Sequence, residues 1–171
     1  MLVKCLLSAN LLNNLISCCN VRLLLTASNC DRMLRADGAQ RLCSRLMDYD
    51  PSGQVLFRSV DILWNLLDYG SHEEVAVQLN NFACISQLRD AFVQQLTQGY
   101  SHYDRQLRND LLVIASVIAT VCIEAPFVET GFIKQLTLFA TFQEGWCCVL
   151  YGSLTGFDLS NVFALSFNSA D

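Results

Sequence analysis

The sequence predicts an all-α protein: a right-handed stack of helices that repeats about three times and ends in a divergent tail. Three observations predict it. Leu11-Leu12-Asn13-Asn14-Leu15-Ile16 returns 51 residues later as Ile62-Leu63-Trp64-Asn65-Leu66-Leu67, each with two apolar residues, a free position, an asparagine and two apolar residues. Apolar helices recurring at a period of about 50 mark a helical solenoid. The starts of three amphipathic segments also superpose. Gly38, Ala83 and Gly131 align at spacings of 45 and 48, with Cys43, Leu88 and Leu136 five positions on and Leu46, Ala91 and Phe139 eight positions on. Finally, 53% of the residues are hydrophobic, only 16% are charged, and two prolines occur in 171 residues. About 25% charged is usual, so the chain is either core-rich or built to meet a neighbour.

The elements follow in order. Leu11–Leu25 is the first expected helix, and Asn29–Asp31 reads as a connection. Ala36-Asp37-Gly38 opens a helix over Ala39–Met47, with Leu42 and Leu46 one turn apart. Asp48–Gly53 carries Pro51 and Gly53 and predicts a turn. The next helix, Leu56–Gly70, is apolar on two flanks. Leu56, Val60, Leu63, Trp64 and Leu67 form one stripe, and Ile62, Leu66 and Tyr69 form another. Between them a narrow polar line runs through Arg58, Asp61, Asn65 and Asp68, so this helix is expected to be open along that edge alone. Gly70 stands where glycine ends helices.

Ser71-His72-Glu73-Glu74 is a capping box for a short helix through Leu79. Phe82–Leu96 is amphipathic, and Ser101–Asp104 is a weaker cap for a long apolar helix over Arg105–Ile123. Its apolar core, Leu111–Ile123, falls short of the ~20 residues that span a bilayer and reads as buried. Pro126 breaks the pattern, and a last helix is expected over Gly131–Phe142.

Charge and cysteine usage exclude several functions. The net charge is −5, and every lysine and arginine lies at or before Lys134. A general nucleic-acid binder needs a basic face, so none is expected. Arg32, Arg35, Arg41 and Arg45 do cluster. They read as a solvated helix face or as a contact patch for an acidic partner. Nine cysteines without a CxxC, beside only His72 and His102, offer no zinc spacing and read as core thiols of a reducing compartment. Cys147 or Cys148 with a histidine forms no recognisable nucleophile–base motif, and Glu73 and Glu74 are adjacent on a helix and point apart. No phosphate loop, dinucleotide fingerprint or metalloprotease helix occurs. No catalysis, cofactor, metal, membrane span or small-molecule substrate is therefore expected; the expected partners are other proteins.

A small residue before an amphipathic helix (Ala36-Asp37-Gly38, Glu129-Thr130-Gly131), followed by a helix carrying Leu12-Asn13-Asn14-Leu15 or Leu63-Trp64-Asn65-Leu66, resembles armadillo/HEAT-like repeats. The third copy departs from the pattern, with Ala115 or Ser116 in place of asparagine. The run from Leu11 to about Gln143, above all Phe57–Ser71, is similar to the armadillo-type cilia- and flagella-associated proteins. That resemblance implies a scaffold of the axonemal central-pair apparatus, in the cytoplasm and in the cilium or flagellum, serving sperm flagella and olfactory cilia. It also implies that the chain is a fragment or short isoform of a longer protein. In peptide-binding armadillo proteins, asparagines at the places of Asn14 and Asn65 hydrogen-bond an extended partner, a task an amide suits. The alternative is that both satisfy loop carbonyls or face water. Trp64 reads either as core or as a groove aromatic. The expected partner-contacting residues are Asn14, Asn65, Arg58, Asp61, Arg41 and Arg45. A general cytosolic peptide-binding adaptor is the alternative function.

Residues 1–143 are expected to form the repeats, and residues 144–171 a divergent apolar tail. The tail holds three of the eight glycines and no helical period, and is expected to be an alternative end rather than original repeat sequence.

Overall fold

The computed structural model describes residues 26–98 and 102–141, with side chains at 26–96 and 105–140. All regular structure among them is helical: α1 (Ala27–Leu34), α2 (Gly38–Cys43), α3 (Gln54–Tyr69), α4 (His72–Leu79), α5 (Phe82–Gln98), α6 (His102–Val121) and α7 (Phe132–Thr141). The chain divides into two compact units at Leu79/Asn80. The expected helix over Leu11–Leu25 and the tail after Gln143 lie outside the described residues.

In the first unit, α1 starts where Thr26 leaves an extended conformation and its hydroxyl accepts the Asn29 N–H at 3.4 Å. The connection expected at Asn29–Asp31 is thus helix. Polar residues suit the first turn, whose N–H groups need acceptors, and Cys30, Met33 and Leu34 give the turn one buried face. The second helix is shorter than expected and stops at Cys43. Beyond it the Arg45 N–H bonds the Leu42 carbonyl and the Leu46 N–H that of Cys43, a tighter winding, while the Ser44 hydroxyl donates to the Arg41 carbonyl. Leu42 and Leu46 are still both buried.

The expected turn is held by Asp50. Its carboxylate accepts from the Ser52 hydroxyl (2.7 Å), the Val55 N–H (2.8 Å) and the Ser52 N–H (2.9 Å), which holds its pKa below the ordinary carboxylate value. Gly53, at φ 67°, supplies the left-handed step into α3. This helix buries Leu56, Ser59, Val60, Ile62, Leu63, Asn65, Leu66 and Leu67, and it packs on α1, α2 and α4. Gly70 ends α3 at φ −107°, not in the left-handed region. Its glycine is required by space: a Cβ there would stand 2.5 Å from the Leu66 carbonyl oxygen and 3.0 Å from Leu34 Cδ1. The capping box holds in its serine half, for Ser71 Oγ accepts the Glu74 N–H at 3.2 Å, and α4 turns Val75, Ala76 and Leu79 inward.

In the second unit, Asn81 Oδ1 caps α5 through the Cys84 N–H at 2.9 Å. The helix packs on α6 and α7. Phe92 is fully buried against Phe132 and, edge to face, Phe139, with ring centroids 5.8 and 5.4 Å away. Between α6 and α7 the chain turns at Pro126. The Arg89 guanidinium donates to the Thr130 carbonyl there, and Gly131 (φ 72°) starts α7. The apolar stretch of α6 is buried at Leu111, Leu112, Ile114, Ala115, Ser116, Ile118 and Ala119. No helix among the described residues is long and apolar enough to cross a membrane.

The repeat read from the sequence is visible in this order of elements. An eight-residue capped helix, a second helix and a longer third helix occur as α1–α2–α3 and again as α4–α5–α6. The superposed apolar positions are buried, Cys43, Leu88 and Leu136, then Leu46, Ala91 and Phe139, whereas of the aligned first residues Gly38 is buried, Gly131 half-buried and Ala83 exposed.

Candidate partner-binding surface

Asn65 sits in the middle of α3. The residue is 4% exposed, and Asn65 Nδ2 donates to the Asp61 carbonyl at 2.6 Å, one turn back on the same helix. Its own backbone carbonyl lies 3.9 Å from Cys30 Sγ on α1. The carbonyl that the Asn65 side chain bonds belongs to its own helix and not to a loop. Asn14 lies outside the described residues.

The accessible edge of α3 keeps Arg58, Asp61 and Asp68 of the expected polar line and takes in Phe57 and Trp64, while Asn65 is buried. Phe57, Asp61 and Trp64 are half-buried and Asp68 is exposed. They follow one another at i, i+4, i+7 and i+11, a single helical strip. Trp64 Nε1 donates to Asp68 Oδ2 at 3.1 Å. The indole is neither a core residue nor a free rim aromatic. Tyr69, expected on an apolar flank, is 55% exposed. Arg58 flanks the strip, its guanidinium 5.6 Å from the Phe57 ring centroid.

The basic cluster is divided by its contacts. Arg41 is exposed on α2, as are Arg32 on α1 and Arg35 at its end. Arg45 is engaged with Asp48, Nε and Nη2 each 2.7 Å from Oδ2. Although α2 packs on α3, Arg41 and Arg45 belong to α2 and its following turn and Arg58 and Asp61 to α3. The expected contact residues thus form two places: α2 with its following turn, and the α3 strip. Sequence reasoning missed Phe57 and the Trp64–Asp68 pair. The signal was their spacing of three and four residues, which puts aromatic and acidic side chains on one face.

None of the described thiols is in a disulfide; Cys30, Cys43 and Cys84 are buried and Cys122 partly so. Burial, and then the Asp31 carboxylate, push the Cys30 thiol up; burial alone pushes up Cys122. Both stay protonated and unreactive at neutral pH. Among the described residues no group of histidine, cysteine and carboxylate side chains could hold a metal ion.

A family model described as the armadillo repeat of cilia- and flagella-associated protein 69 matches residues 3–147. Over 116 residues the chain is 54% identical to cilia- and flagella-associated protein 69 of Homo sapiens and of Papio anubis, and 50% identical to that of Mus musculus. Each alignment covers 68% of this chain and 12% of the relative, so the chain spans about an eighth of the length of the curated relatives it matches. No solved structure matches.

Proposed function

Because the chain belongs to the armadillo-repeat family of cilia- and flagella-associated protein 69, we propose that it is a non-catalytic, protein-binding scaffold segment of the ciliary and flagellar axoneme. The observation that carries this reading is the match over residues 3–147, which takes in every described helix. Helices stacked on one another leave long faces for partners and no enclosed site for chemistry. In this reading residues 1–143 are the repeat part and residues 144–171 the divergent end. The partners are axonemal proteins, and Arg41, Arg58 and Asp61 meet them directly. Arg45, held by Asp48, and Asn65, enclosed by its own helix, act by shaping the surface.

The test is fractionation of tagged chain expressed in cells with motile cilia. Retention in the detergent-insoluble axonemal pellet, with axonemal proteins crosslinked to it, is expected. Recovery in the soluble cytosol with no axonemal neighbour overturns the reading and favours the cytosolic adaptor.

A further inference from the structure

The α3 strip has a chemical character that its neighbourhood reinforces. Phe57, Asp61, Trp64 and Asp68 alternate ring and carboxylate along one edge, with Asp68 exposed and the others half-buried. Residues 57–79 of the same unit contain four carboxylates, Asp61, Asp68, Glu73 and Glu74, against one cation, Arg58. Glu73 and Glu74 are both exposed in the first turn of α4, which packs against α3. The field over this part of the unit is therefore negative, and the aromatic rims lie inside it. Arg58 over the Phe57 ring shows that a guanidinium fits against this edge.

We infer that the Phe57–Asp61–Trp64–Asp68 edge of α3 is a docking strip for a lysine- or arginine-rich segment of a partner protein. The inference rests on the protein-binding reading above and names the partner's chemistry. Each carboxylate takes a cation from the segment while the neighbouring ring covers its methylene stem and attracts its charge. Complementary charge of this kind speeds encounter and excludes acidic segments.

The experiment uses the full chain and a short fluorescein-labelled peptide of alternating lysine and glycine, followed by fluorescence anisotropy. Saturable binding that weakens with salt is expected, together with a shift of Trp64 emission in a Trp146→Phe background. Asp61→Asn with Asp68→Asn should weaken binding about tenfold at unchanged helicity, the sum of one half-buried and one exposed charge contact and their cation–ring supplements. Equal affinity in that double variant, an unmoved Trp64 emission, or equal binding of a glutamate–glycine peptide overturns the inference. Axonemal retention without lysine-peptide binding removes this strip and leaves the scaffold reading standing. Peptide binding without axonemal retention does the reverse.

Discussion

Gln78 reaches back 39 residues to Ala39: its side-chain carbonyl accepts the Ala39 N–H at 3.1 Å while its Nε2 donates to the Leu34 carbonyl at 2.6 Å. One amide from α4 thus serves the open C-terminal end of α1 and the open N-terminal end of α2. Both backbone groups belong to helix ends, which lack partners inside their own helices. Gln78→Met keeps the volume, strips the Ala39 N–H of this acceptor and leaves the Leu34 carbonyl with the Asp37 N–H alone. It should lower stability by about 1–3 kcal/mol, read as a lower urea midpoint at unchanged slope. An unchanged midpoint would show that water serves both ends equally well.

Gly70→Ala should be more damaging than Gly53→Ala, although only Gly53 has a positive φ. At Gly53 nothing lies within 4 Å of an added Cβ, and the cost is the left-handed strain of about 1–2 kcal/mol. At Gly70 the new carbon meets the Leu66 backbone oxygen, which cannot rotate away, and α3 must shift against Leu34. Thermal unfolding of the two variants orders them.

Ser59→Ala should stabilise the chain. Ser59 is fully buried on α3, and its Oγ has no hydrogen-bond partner among the described residues. Removing an unpaired hydroxyl from an apolar site recovers a desolvation cost of about 1 kcal/mol. A higher melting temperature is the expected result. A lower one would point to a bound water beneath the helix.

Asp50 gives stability an acid limb. Its pKa is depressed in the folded chain, first by the Ser52 hydroxyl and then by the N–H groups of Val55 and Ser52. A carboxyl held low in the native state contributes stability above its unfolded pKa of about 4 and loses it as pH falls through the folded value. Asp50→Asn should therefore lower stability at neutral pH and flatten the dependence below about pH 4. Denaturation series at several pH values measure both effects.

The helices were legible from apolar spacing because their inward positions are large and regular, as at Leu42, Leu46, Leu88 and Phe139. The choice between Ala115 and Ser116 as the counterpart of Asn65 has a physical origin. From α3 to α6 the starts lie 48 residues apart and the ends 52, because α6 is four residues longer. No single offset superposes them. Asn65 was misplaced because polarity was taken as a sign of solvent. An asparagine that bonds the carbonyl one turn back can be enclosed within a helix, while Phe57 and Trp64 carry enough apolar surface to look interior. Gly70 was identified as a helix end, but its reason, the approach of Leu34 from α1, is a tertiary contact that no local pattern holds.

The contacts that tie helix to helix stay close along the chain. Gln78 to Leu34 spans 44 residues, and Arg89 to Thr130 spans 41 within the second unit. Closing loops of that size costs little more entropy than closing half their length. A growing chain can therefore complete Thr26–Leu79 as soon as Gln78 has left the ribosome, before Phe132 and Phe139, the partners of Phe92 in the second unit, have been made. Synthesis then proceeds as a series of finished pieces, so that little apolar surface stays uncovered at any moment in a chain that is more than half hydrophobic.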